Sequence, residues 1–180
     1  NSKVLKPNKI DFNTKEWLYK EGIPSNCVRL ESEKFKEIQI LADKFSIGGD
    51  IFKVKKKKNK ITREKYITQE WLEFIKLLPN SITPARLMLL DDKLNFKGCG
   101  NAEIMTEWFL LGIKSGYKQI RPEMSLFLKK VGRRKYILPL YEALTKTPDD
   151  FIWAKKVFTK AKNNYHSITY FSVNKILNPI

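Results

Sequence analysis

From Glu31 to the C-terminus, apolar residues recur at helical spacing in one segment after another, and most segments open on a residue type that starts helices. Nothing else in the chain restricts its fold so strongly. Phe35, Ile38, Leu41, Ala42 and Phe45 share one face of a first helix, and Trp71, Phe74, Ile75 and Leu78 form a second stripe that Pro79 ends. Thr83 and Pro84 read as N-cap and first residue of a helix bearing Leu87, Leu90 and Leu94. Asn101 caps another, with Ile104, Trp108 and Leu111. Arg121-Pro122-Glu123 starts the next, which turns Met124, Phe127, Leu128 and Val131 inward; Gly132 is expected to be its left-handed C-terminal residue. Pro139 is expected to open a helix carrying Leu140, Tyr141 and Leu144. The strongest start is Thr147-Pro148-Asp149-Asp150, a cap and a proline followed by acids that favour the helix dipole. Its helix should bury Phe151, Ala154, Val157, Phe158 and Ala161, and a last helix should run from about Ser167 to Leu177.

The fold expected is therefore all-α, with roughly eight helices beyond residue 29. Strand periodicity is missing, although Ile51-Phe52-Lys53-Val54 could pair briefly. Short connections make successive helices antiparallel neighbours, and a row of such pairs is an armadillo- or HEAT-like α-solenoid, here without a strict repeat. Residues 30–180 form this domain. Residues 1–29, broken by Pro7, Gly22 and Pro24, read as a linker-like segment whose Trp17-Leu18-Tyr19 calls for burial against the domain or against another one. The start at Asn1, without Met or a basic–apolar leader, suggests a piece of something larger.

Residue counts remove whole classes of chemistry. There is one histidine, His166, and there are two cysteines, Cys27 and Cys99. A zinc peptidase helix of the H-E-x-x-H type needs two histidines one turn apart, and a structural zinc site needs four Cys or His ligands. No catalytic residue, metal ligand or cofactor is therefore expected in the chain itself. His166 reads as a capping or core hydrogen-bonder, and Trp71, Trp108 and Trp153 as core by period. The cysteines read as reduced thiols of a cytoplasmic protein. No stretch is long and apolar enough to span a membrane.

Net charge is +16, from 35 Lys and Arg against 19 Asp and Glu. Between Phe52 and Tyr66 stand Lys53, Lys55, Lys56, Lys57, Lys58, Lys60, Arg63 and Lys65 against Glu64 alone. A phosphate backbone would suit such a run, but proteins that read single strands interleave aromatic residues, and only Phe52 and Tyr66 border this one. It reads as a solvated loop opened by Gly48-Gly49, and nucleic acid is not the expected partner. A second basic cluster is Lys129, Lys130, Arg133, Arg134 and Lys135.

Several short motifs now line up in order. They are Asn95-Phe96; Asn101-Ala102-Glu103-Ile104 with Trp108; Gly132-Arg133-Arg134-Lys135-Tyr136 leading to Pro139-Leu140-Tyr141; and Tyr165-His166-Ser167-Ile168-Thr169. Together with Asp11-Phe12-Asn13, Trp17-Leu18-Tyr19 and Gly22-Ile23-Pro24, they resemble the C-terminal domain of leukotriene A-4 hydrolase and related zinc aminopeptidases. The resemblance implies a right-handed superhelix of antiparallel helices, partnered by N-terminal and zinc-bearing catalytic domains of the same parent. It implies a short peptide as substrate and, at the G-R-x-K turn, Arg133 and Lys135 as the residues that hold the substrate carboxylate. The residue types suit that task, since Arg offers a planar fork and Lys a mobile point charge. Read without the resemblance, basic residues after a helix end only complement its dipole. The rival function is a free-standing helical-repeat module that places its basic clusters on nucleic acid or an acidic protein.

Overall fold

Side-chain caps fix where three of the helices begin. Thr83 Oγ1 accepts from the Arg86 backbone N–H at 3.4 Å, Asn101 Oδ1 from Glu103 N at 3.0 Å and Ile104 N at 3.3 Å, and Thr147 Oγ1 from Asp150 N at 3.2 Å. Each satisfies amides that the first helical turn leaves unpaired. The structure is a computed structural model that describes residues 14–24, 27, 32–53 and 61–179. Among these, nine α-helices stand in the order α1 (Thr14–Tyr19), α2 (Glu33–Ser46), α3 (Thr68–Leu77), α4 (Pro84–Leu94), α5 (Ala102–Lys114), α6 (Arg121–Lys130), α7 (Arg134–Leu144), α8 (Pro148–Ala161) and α9 (Ser167–Leu177). The chain divides into two units, Asn1–Ser32 and Glu33–Ile180. In the first, α1 carries Trp17, Leu18 and Tyr19, all exposed.

In the second unit α2, α3, α5, α7 and α9 pack one against the next, while α6 lies on α8 and α8 returns onto α7 and α9. The all-α expectation holds. Its core is a continuous set of buried side chains in which Trp71 and Trp108 are fully enclosed, as their spacing required. One aromatic column runs Tyr66, Trp71, Phe96, Trp108, and another gathers Tyr141, Phe158, Tyr165 and Tyr170. Trp153 is only partly buried, with the Arg121 guanidinium 5.4 Å from its ring.

Two polar devices fix the connections. Arg86 lies over the Phe45 ring, 3.8 Å from its centroid, and donates to the carbonyls of Phe45, Gly48 and Gly49 at 2.6, 3.1 and 2.9 Å. It thereby closes the end of α2 just before the lysine-rich run. The buried Asp91 carboxylate accepts from Lys97 N at 3.2 Å and pairs with Lys97 Nζ at 3.0 Å. Burial pushes that carboxyl up and Lys97 opposes the shift. The pair folds the Phe96–Gly98 turn back under α4, with Asn95 in the left-handed region at φ 49°.

Several local expectations are corrected. Phe35 is 45% exposed and lies off the core face of α2. Ile51-Phe52-Lys53 form a bend instead of a strand, because Asp50 Oδ1 collects the amides of Phe52 and Lys53 at 2.8 and 3.1 Å. Val54, Lys55, Lys56, Lys57, Lys58 and Lys60 lie outside the described residues. Pro139 does not open a helix; it sits inside α7, which begins at Arg134. Gly132 is not left-handed, since the only glycines of positive φ among the described residues are Gly22, Gly48, Gly100 and Gly116.

Candidate functional site

The connection between α6 and α7 is only Val131, Gly132 and Arg133, and it is tied down from one side by the segment that enters α9. Asn164 Nδ2 donates to the Lys129 carbonyl at 3.0 Å, the Tyr165 hydroxyl to the Leu128 carbonyl at 2.8 Å, and the Thr169 hydroxyl to the Gly132 carbonyl at 2.9 Å. The Leu128 and Lys129 carbonyls lie in the last turn of α6 and that of Gly132 in the connection itself, so the three side chains satisfy groups that the helix leaves unpaired. Because Tyr165 gives its proton to Leu128, the 3.0 Å contact between the two tyrosine hydroxyls is donated by Tyr141. Burial pushes the Tyr165 phenol up to about 12 and Tyr141 higher still. Both therefore stay neutral donors.

Gly132 has a different task from the one its position suggests. A Cβ there would stand 2.7 Å from the backbone carbonyl oxygen of Asn164. The glycine lets two backbones touch. Gly132→Ala is therefore expected to cost about 1–3 kcal/mol, the range for forced overpacking. Were there room, the same change at this ordinary φ would stabilise by about 0.4–1 kcal/mol through the unfolded chain. Urea denaturation reads the sign directly, and a stabilised variant would refute the close approach.

The turn presents three cations, and the structure separates them. Arg134 leans onto α9, where its Nε donates to Ser172 Oγ at 2.9 Å. Lys135 pairs with Glu103 on the first turn of α5 at 2.6 Å. That hydrogen bond holds the Glu103 carboxyl below its usual range and raises the Lys135 ammonium. Arg133, the backbone N-cap of α7, is exposed and has no acidic partner among the described residues; its guanidinium is 5.9 Å from the Tyr136 ring centroid. No acid stands in the first turn of α7. A free guanidinium beside unpaired helical amides is suited to an anion with two oxygens in one plane.

Lys135 borders a pocket of ≈ 190 Å³ between α3, α5 and α7, walled by Leu72, Leu110, Tyr136 and Pro139 and edged also by Lys76, Glu103 and Glu107. Pro139 thus shapes a wall. It also supplies no N–H to the Lys135 carbonyl one turn back. His166 lies beside the turn, but its exposed side chain makes no capping bond, which corrects its reading as a cap or core group. Sequence inspection did not give Asn164, Tyr165, Thr169 and Glu103 their tasks, although three of them lie in the motifs quoted for the resemblance.

Residues 66–177 match the family model described as leukotriene A4 hydrolase, C-terminal. The chain belongs to that family. Among its relatives, leucine aminopeptidase 2 of Ajellomyces capsulatus is 34% identical over 107 residues, 59% of this chain and 17% of that protein. Leucine aminopeptidase 2 of Aspergillus terreus is 28% identical over 178 residues, 98% of this chain and 27% of that protein. The structure of native yeast LTA4 hydrolase superposes with a TM-score of 0.75 at 21% identity, over 93% of this chain and 29% of that one. At that identity the likeness is one of fold. The chain spans only 17% and 27% of the two leucine aminopeptidases. Among the described residues no three His, Cys, Asp or Glu side chains gather to hold a metal ion. Among the described residues no helix is long and apolar enough to cross a membrane.

Proposed function

We propose that this leukotriene A4 hydrolase C-terminal domain closes one side of the active-site cleft of a cytoplasmic zinc aminopeptidase and grips the free C-terminal carboxylate of a short peptide. The supporting observation is Arg133: a cation without an acidic partner among the described residues, held on a turn that three side-chain hydrogen bonds tie down, with its guanidinium near the ring of Tyr136, a wall of the pocket. Lys135 supplies a second positive charge, shared with Glu103. Zinc and the residues that act on the scissile bond belong, in this reading, to the catalytic domain of the parent; the metal there supplies Lewis-acid polarisation and an activated water. The present domain binds and orients. A carboxylate anchored at one end of the peptide fixes how far its amino end reaches, which favours short substrates.

The zinc and activity assignments are checked together. The purified parent is expected to carry one tightly bound zinc and to release N-terminal residues from peptides. Residues 1–180 alone should do neither, because an H-E-x-x-H pair cannot be drawn from a single histidine. Turnover of an aminoacyl reporter by this chain, in a preparation free of host peptidases, would overturn the assignment.

A further inference from the structure

Glu103 is the acid that pairs with Lys135 of the candidate carboxylate site, and the fold goes to some length to keep it there. It occupies the second position of α5, whose start is fixed by Asn101: the amide oxygen takes the Glu103 and Ile104 N–H groups, while Nδ2 donates to Thr68 Oγ1 on α3 at 3.1 Å. From that anchored turn its carboxylate meets Lys135 Nζ at 2.6 Å. Glu107 follows one turn later and Lys76 faces both from α3, so the pocket edge carries two acids against two lysines. Arg133 remains outside this balance.

We infer that Glu103 sets the specificity of the site: it neutralises Lys135, leaves Arg133 as the one of the two proposed anchors with its charge uncompensated, and so tunes the site to a singly charged carboxylate over a doubly charged anion. This rests on the carboxylate-binding reading above. A substrate carboxylate touching both Arg133 and Lys135 comes close to the Glu103 carboxylate, and the like charges repel. Glu103 thus lowers affinity for the anchor and penalises a second negative charge more heavily. It also steadies Lys135, but an exposed ion pair holds its side chains only loosely. Removal of the repulsion is therefore the larger consequence of neutralising it.

The test is Glu103→Gln in the full-length parent, measured on a peptide and on its C-terminal amide, with inorganic phosphate as inhibitor. KM for the acid is expected to fall about fivefold, the scale of one like charge removed at short range near a surface. KM for the amide should stay unchanged, and phosphate should inhibit the variant more strongly than the wild type. An unchanged or raised KM for the acid overturns the inference, as does an equal shift on acid and amide, which would mean that Glu103 only steadies the packing of α5 on α7. Arg133→Ala run on the same pair of substrates keeps the two levels apart. If it fails to distinguish acid from amide, the carboxylate site itself is wrong and this inference falls with it. If it distinguishes them and Glu103→Gln does not, only the inference falls.

Discussion

Phe96→Ala is expected to remove about 3–5 kcal/mol of folding stability, the range for truncating a fully buried aromatic side chain. Phe96 is wholly buried although it stands in a short turn between helices. Its ring centroid lies 5.1 Å from that of Trp71 and 5.1 Å from that of Trp108, so it bridges α3 and α5. Two contributions add: the apolar surface no longer removed from water, and the cavity left between two indoles. Those indoles cannot collapse into the gap. The Trp71 ring is pinned by its N–H, which donates to the Arg63 carbonyl at 2.8 Å, and Trp108 is held on the inward face of α5. Against a typical total of about 5–15 kcal/mol, such a loss is a large share. It corresponds to a melting temperature lower by roughly 6–20 °C at this chain length. Calorimetry on wild type and variant checks it, and a loss below about 1 kcal/mol would mean that the aromatic column repacks.

Phe96 also shows why the fold was only partly legible in the sequence. Helices announced themselves wherever a cap and an apolar stripe agreed, with a proline at Thr83-Pro84 and Thr147-Pro148 and without one at Asn101. Position 96 has no stripe to belong to. It reaches the core because Asp91, five residues earlier, turns its carboxylate inward and gathers Lys97 by both backbone and side chain. A buried acid that organises a turn leaves no periodic trace. The start of α7 was missed for a related reason. Arg133 caps it by backbone alone, without a side-chain hydrogen bond, so the eye passes to Pro139, which looks like a start signal and is in fact a wall of the pocket.

The site was legible as residue types and not as geometry. The resemblance put Arg133 and Lys135 forward together, while the hydrogen bonds treat them differently: Lys135 is taken by Glu103, 32 positions earlier in the chain, and Arg133 by no acid among the described residues. Nor could spacing show that Tyr165 and Thr169 brace the turn, since each reaches 37 positions back to its acceptor. Such long-range partners are chosen by packing. Gly132 carried the misleading signal: a glycine just past a helix usually supplies a left-handed φ, and here it supplies room.

In the full-length parent, Arg133→Ala is expected to lower kcat/KM for peptide acids roughly ten- to hundredfold, because a hydrogen bond to a charged group contributes about 1.5–3 kcal/mol. The structure sharpens the expectation in three ways. Arg133 makes no ion pair among the described residues that its loss would break, so folding stability should move by no more than about 0.5 kcal/mol, as for ordinary surface changes. Lys135→Ala should lower kcat/KM less, since that ammonium is already engaged by Glu103 and offers no planar fork. Arg134→Ala should leave kcat/KM nearly unchanged, since its guanidinium turns toward Ser172. The substrate itself is the control. A peptide amide lacks the second anionic oxygen that a guanidinium fork engages, so the wild type should process it poorly and Arg133→Ala should hardly change that. An arginine that merely shaped the turn would slow acid and amide alike, and equal losses on the two would reduce Arg133 to a structural residue.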